Sequence, residues 1–149
     1  MNEFKIRFSP EEIKCLQRNT YFEAATESRR GKLAVIMVVL NRVKSRHFPD
    51  TICDVVHQAR MDDRGNPIRY KCQFSWYCDG LSDKPDLSRA YNKRVWDEIG
   101  ELADDVVNNG GVDIVGNALF YHTKDVNPGW DNYVEYSEVD SHIFYVMNP

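Results

Sequence analysis

The chain has 149 residues, 42% hydrophobic, 28% charged and 12% aromatic. That suits one globular domain over residues 1–149 and speaks against disorder. A net charge of −4 argues against nucleic-acid binding, which usually needs a basic excess. The longest apolar run, Leu33 to Leu40, is eight residues, against the roughly 20 of a membrane helix, so no stable membrane insertion is expected. The opening MNEFKIRFSPEEIK lacks the apolar stretch of a secretory signal, which predicts synthesis in the cytoplasm. Charge is uneven: residues 1–75 hold 14 Lys/Arg against 9 Asp/Glu, and residues 76–149 hold 5 against 14. A polar molecule with a basic side is one consequence, and solvated helix faces of opposite sign are the simpler one.

Ser9-Pro10-Glu11-Glu12 has the chemistry of a helix start, and Ile13, Leu16, Tyr21 and Ala24 continue it to about Thr26. Ser28 to Phe48 contains LAVIMVVLNRV. Its β-branched content suits a strand, but Leu33, Ile36, Leu40 and Val43 form a helical stripe over a stretch too long for one. A buried helix is expected. Asp50 or Thr51 then caps a short helix with Ile52, Val55, Val56 and Ala59 inward. Met61 to Lys71 reads as a polar loop turning at Asp63-Arg64-Gly65-Asn66-Pro67. Leu87, Tyr91, Val95, Ile99, Leu102 and Val106 mark a long amphipathic helix ended by Asn109-Gly110-Gly111. Ala118 to His122 and Ile143 to Val146 read as short strands around a Pro128-Gly129 turn. The pattern is α+β.

Four cysteines, Cys15, Cys53, Cys72 and Cys78, are too few and scattered for a disulfide scaffold. Free buried thiols are the default in a reducing cytoplasm, with a Cys72–Cys78 bridge as the alternative.

Glu23 and Glu27 would share a helix face, with Cβ atoms about 5–6 Å apart. Like charges so close raise one pKa, and Tyr21 and Phe22 would raise it further by desolvation. A carboxylic acid still protonated near neutrality is what glycosidic cleavage needs; a solvated helix face is the plain alternative. His122 and His142 could join Cys72, Cys78 or Asp79 around zinc, yet no HExxH or CxxC is present. No metal and no cofactor are expected, and His57 reads as structural. GxSxG and GxGxxG are also absent. Phe74, Trp76, Tyr121 and Trp130 could stack on sugar rings or fill the core.

Seven stretches occur in a familiar order: YFEAATE (21–27), AVIMVVLNRV (34–43), FPDTICDVV (48–56), CQFSWYCDG (72–80), GNALFYHT (116–123), PGW (128–130) and HIFY (142–145). Together they resemble the cell-wall hydrolase family that includes spore cortex-lytic enzymes and many phage and bacterial peptidoglycan hydrolases. The resemblance implies a fold similar to lysozyme and lytic transglycosylases, mainly helical with a small C-terminal β region beside a glycan groove. It implies cleavage of the β-1,4 bond between N-acetylmuramic acid and N-acetylglucosamine. The family's catalytic glutamate falls on Glu23. Glu27, Phe74, Ser75, Asp79, Tyr121, His122 and Trp130 become candidates for substrate binding. Ala25-Thr26 depart from the Arg-Gly usual there, which removes a positive charge near Glu23.

A hydrolase needs a second carboxylate, for which Glu27 and Asp79 are the candidates. A lytic transglycosylase does not, because the muramic 6-hydroxyl attacks while Glu23 turns from acid to base. The second outcome is favoured. A monomeric phage endolysin, released through a holin pore and acting on peptidoglycan glycan strands, fits this reading, against a bacterial wall-remodelling or spore enzyme exported by another route. The rivals are a zinc-dependent amidase or peptidase and a non-catalytic wall-binding module.

Overall fold

The computed structural model describes residues 8–147; residues 1–7, half of the opening stretch judged for a leader, lie outside them. Helix α1 (Pro10–Ala24) starts as expected: the Ser9 hydroxyl accepts from the Glu12 N–H at 3.2 Å, with proline in the first turn. It ends at Ala24, short of Thr26. Glu27 therefore sits beyond the helix, not one turn along it from Glu23.

Helix α2 (Arg29–Lys44) is capped by Ser28 and is the central element. Ile36, Val39, Leu40 and Val43 pack into a cluster with α1 and the other helices, while Ala34 and Val38 pack toward the C-terminal sheet. A helix with apolar neighbours on two sides is apolar nearly all round. This explains why its valines and isoleucines mimic a buried strand. Each such aliphatic side chain, fully buried, contributes about 1.5–3 kcal/mol. Helix α3 (Ile52–Val56) is capped by Thr51 and buries Ile52, Val55 and Val56. Helix α4 (Ala90–Asn109) buries Val95, Ile99, Leu102 and Val106, and ends at Gly110, whose φ of +88° suits glycine. Leu87 precedes α4, and Tyr91 stays exposed. Lys32, buried on α2, reaches Glu98 of α4 at 2.8 Å.

The expected loop at Met61–Lys71 is instead an antiparallel hairpin, β1 (Ala59–Met61) with β2 (Pro67–Cys72). Its strands are mostly exposed on both faces, so no period-two alternation marks them. The turn is organised by Asp62, whose carboxylate accepts from the Arg64 and Asn66 N–H groups at 2.9 Å each. The C-terminal sheet has the order β3–β5–β4, all antiparallel, from β3 (Phe120–Thr123), β4 (Tyr133–Val139) and β5 (His142–Met147). Strand β4 was not anticipated. Val134 and Tyr136 are exposed, and a bulge between Glu135 and Ser137 breaks its register, so its pattern is not that of a half-buried strand.

All four cysteines are bridged, as Cys15–Cys53 and Cys72–Cys78, which corrects the expectation of free thiols. Packing of α1 against α3 brings the Cα atoms of Cys15 and Cys53 to 5.3 Å across 38 residues. A 3-10 turn (Ser75–Cys78) folds Cys78 back to 6.0 Å from Cys72. The Cys15–Cys53 approach is not visible in linear spacing, whereas Cys72–Cys78 is the bridge weighed above as the alternative. Among the described residues no helix is long and apolar enough to cross a membrane.

Candidate active site

Glu23 lies on the last turn of α1, half-buried, and its Oε1 accepts a hydrogen bond from the Tyr121 hydroxyl on β3. Burial pushes the Glu23 carboxyl above its ordinary pKa. The Tyr121 hydrogen bond and the Arg42 charge pull the other way without cancelling it. Desolvation is thus the source of the raised pKa. Neither the expected Glu27 repulsion nor a helical Glu23–Glu27 pair contributes. Burial and the adjoining carboxyl hold the Tyr121 phenol well above its usual range, so it stays a donor.

Residues ahead of β3 are pinned by α2. Asn41 Nδ2 donates to the carbonyls of Gly116 and Ala118 at 2.9 Å each, and Arg42 Nε donates to Leu119 O at 2.8 Å. Arg42 is 2% exposed, with rings of Phe48, Phe74 and Phe120 at 4.8, 5.0 and 5.6 Å. These residues were missed in the sequence. The available signal was a cation placed on the stripe of buried positions Val35, Val39 and Val43 in an otherwise apolar helix.

Glu27 has a different post from the one expected. Its carboxylate, 7% exposed, accepts from Ser141 N at 3.1 Å and from Ser141 Oγ at 3.0 Å, and His142 Nδ1 stands 3.1 Å away. Asp140 beside it accepts from the Ser28 N–H at 2.8 Å and from the Ser28 hydroxyl. The Asp140–Ser141 turn, with Asp140 at φ +49°, is thereby clamped to the α1–α2 corner. Gly31 makes this approach feasible, since a Cβ there would lie 2.5 Å from an Asp140 oxygen and 2.8 Å from Glu27 Cβ. The His142 ring lies edge-on to Tyr121 at 4.9 Å, so the clamp backs the phenol that meets Glu23. Burial lowers the His142 pKa despite Glu27 and Asp140.

Phe74 and Trp76 are core rather than sugar-stacking surface. Phe74 is 3% exposed under Arg42. Trp76 is buried, stacked on Phe22 at 5.1 Å, and its indole N–H donates to Asn19 Oδ1 at 2.8 Å. Ser75 is exposed at the head of the 3-10 turn. The Asp79 carboxylate accepts from the Leu81 N–H at 2.8 Å and so serves a turn. Tyr121 and His122 are consecutive on a strand and point to opposite faces of the sheet. His122 joins Trp130, with ring centres 5.3 Å apart, and Trp130 also meets Tyr145, Tyr133 and Phe120 at 5.2–6.0 Å. His122 Nδ1 lies 2.7 Å from Thr123 O and Nε2 2.7 Å from the Tyr145 hydroxyl. A carbonyl only accepts, so Nδ1 carries the proton in the neutral ring and Nε2 accepts from Tyr145. These half-buried rings form an aromatic shelf suited to the apolar faces of sugars.

The zinc alternative loses its ligands: Cys72 and Cys78 are joined to each other and His142 is buried against Glu27. The described residues contain no group of three or more His, Cys, Asp and Glu placed to hold a metal.

The profile of the cell wall hydrolase family matches residues 26–145, starting three residues after Glu23. A spore cortex-lytic enzyme of Oceanobacillus iheyensis is 29% identical over 143 residues, which cover 92% of this chain and 42% of that protein. The chain thus spans about two fifths of that relative. Its fold is similar to the catalytic domain of the germination-specific lytic transglycosylase SleB from Bacillus anthracis (TM-score 0.67, 24% identity, 93% of this chain and 97% of that one). It is also similar to the Bacillus cereus SleB catalytic domain (TM-score 0.64, 25% identity, 93% and 92%). The expected fold, helices with a small β region as in lytic transglycosylases, is the one observed.

Proposed function

The chain belongs to the cell wall hydrolase family, and on that premise we propose that it cleaves peptidoglycan glycan strands as a lytic transglycosylase, with Glu23 as general acid and then base. One observation carries the reading. Glu23 is a carboxyl whose pKa burial raises, oriented by a phenol that donates to it. Such a group can protonate the oxygen leaving muramic C1 while an oxocarbenium-like state develops. The muramic 6-hydroxyl then bonds to C1, its proton passes to the Glu23 carboxylate, and the acid is restored. The two carboxylates that could have served water as base are engaged elsewhere, Glu27 with Ser141 and Asp79 with Leu81. That favours intramolecular attack over hydrolysis. Both disulfides fit work outside a reducing cytoplasm.

The test is digestion of purified sacculi, with the new ends identified by mass spectrometry. The expected muramic ends are 1,6-anhydro rings, lighter by one water and resistant to borohydride. Reducible muramic ends would make water the acceptor, and new peptide termini would replace the glycosidase reading with an amidase one.

A further inference from the structure

Arg42 is an expensive residue to keep where it lies. Its guanidinium is enclosed by Phe48, Phe74 and Phe120, its Nε donates to Leu119 O, and among the described residues its buried Nη1 has no hydrogen-bond partner. A buried cation without a paired anion costs several kcal/mol, and an apolar side chain of similar volume would normally be more stable. Holding Leu119 alone does not require a charge, since a neutral donor would do that. The titratable groups its charge acts on come from three elements: Glu23 on α1, Tyr121 on β3 and Tyr133 on β4. Glu23 is the only carboxylate among them, and Tyr121 is the residue bonded to it.

We propose that Arg42 is a positioning residue of the acid–base step: its caged charge, acting on Glu23 and on the Tyr121 phenol bonded to it, sets how readily Glu23 gives up and recovers its proton. This rests on the reading of Glu23 as the general acid. A lone desolvated carboxyl would hold its proton too firmly to part with it in the first half of the cycle. A fixed cation in low dielectric offsets part of that penalty and is little screened by salt. The sign follows. Arg42 favours the carboxylate, so its removal must leave Glu23 protonated to higher pH.

The experiment titrates Glu23 directly in the full chain without substrate, following the infrared band of its protonated carboxyl, assigned by its loss in Glu23→Gln. Arg42→Met removes the charge. Citrulline installed at position 42 removes it while keeping the shape and the Nε–H bond to Leu119, and decides the matter if the methionine variant fails to fold. One pH unit above the parental midpoint, the protonated fraction should rise at least about threefold in either form, a modest change for losing a nearby opposite charge. The alkaline limb of sacculus clearing should move up by the same amount. A band that titrates at the parental pH, or a limb that stays while only the maximal rate falls, would reduce Arg42 to a structural role and overturn the proposal. If the band shifts but the parental protein clears no sacculi, the electrostatic link stands and the glycosidase reading fails instead.

Discussion

The Tyr121 phenol donates to the Glu23 carboxyl across 98 residues of sequence, joining the end of α1 to β3. Everything around the pair supports that contact. Asn41 and Arg42 fix the chain just before β3, and His142, backed by Glu27, lies edge-on to the phenol ring. A carboxyl held by one donor in a desolvated site is oriented for proton transfer rather than for a salt bridge.

Glu23→Gln keeps the outline of the side chain but cannot deliver a proton. Clearing of sacculi should fall by at least about two orders of magnitude, the low end of what general acid catalysis contributes. Stability should not fall with it. Because burial raises the Glu23 pKa, the folded state binds this proton more tightly than the unfolded chain. The parental protein therefore loses stability as pH rises from the unfolded toward the folded value. The glutamine variant should gain more, relative to the parent, at pH 7 than at pH 4 in urea denaturation. Clearing at the parental rate would end the glycosidase assignment.

Tyr121→Phe removes the donor and leaves the ring. Loss of a hydrogen bond to an ionisable group is worth about 1.5–3 kcal/mol, so the clearing rate should drop roughly ten- to a hundredfold. The Tyr121 bond lowers the Glu23 pKa, so the alkaline limb should also move to higher pH. A rate loss with an unmoved limb would mean the phenol serves packing alone.

The two disulfides should contribute unequally. In the chain-entropy account, a bridge across 38 residues is worth about 4 kcal/mol and one across six about 2 kcal/mol. Replacing Cys15 and Cys53 by serine should therefore lower the urea midpoint more than replacing Cys72 and Cys78. The second pair staples a small exposed hairpin to the turn that carries Trp76, and its loss should leave the chemistry intact. Full inactivation of a well-folded Cys72/Cys78 double variant would contradict this.

Glu27 is expected to matter for stability before chemistry. Glu27→Ala strands the Ser141 N–H and hydroxyl and leaves His142 without its carboxylate, at a cost of about 3 kcal/mol. The pH dependence has a definite sign. Burial lowers the His142 pKa, so the unfolded chain binds this proton more readily, and stability is lost as pH falls below the ordinary histidine value of about 6.5. His142→Gln should flatten that acid slope in melting temperature against pH, leaving the share due to His57, whose pKa burial also lowers. An unchanged slope would place the acid sensitivity elsewhere.

Local signals announced several elements faithfully. Ser9 with Pro10 opens α1, the stripe from Val95 to Val106 defines α4, and Gly110 closes it, because caps and one-sided stripes depend on residues within a few positions of each other. The hairpin at Ala59–Cys72 escaped notice because its strands are mostly exposed on both faces, and strand β4 because a bulge and the exposed Val134 and Tyr136 break its alternation before buried Val139. Glu23 stood out through the motif around it, and its acidity had the right sign for a partly right reason. The sequence suggested a like-charge neighbour together with desolvation; burial does the work, and Glu27 is turned toward Ser141.

What the amino-acid order determined by itself is the set of helices, the α+β class and a candidate acid at the end of the first helix, all matters of short range. Tertiary structure alone decided the rest: that Cys15 finds Cys53, that Arg42 sits charged among three phenylalanine rings, that Tyr121 turns toward Glu23 while His122 turns away. The physical reason is that desolvation, ion placement and side-chain pairing depend on which distant surfaces exclude water from one another. That is a property of packed elements and not of any stretch of chain.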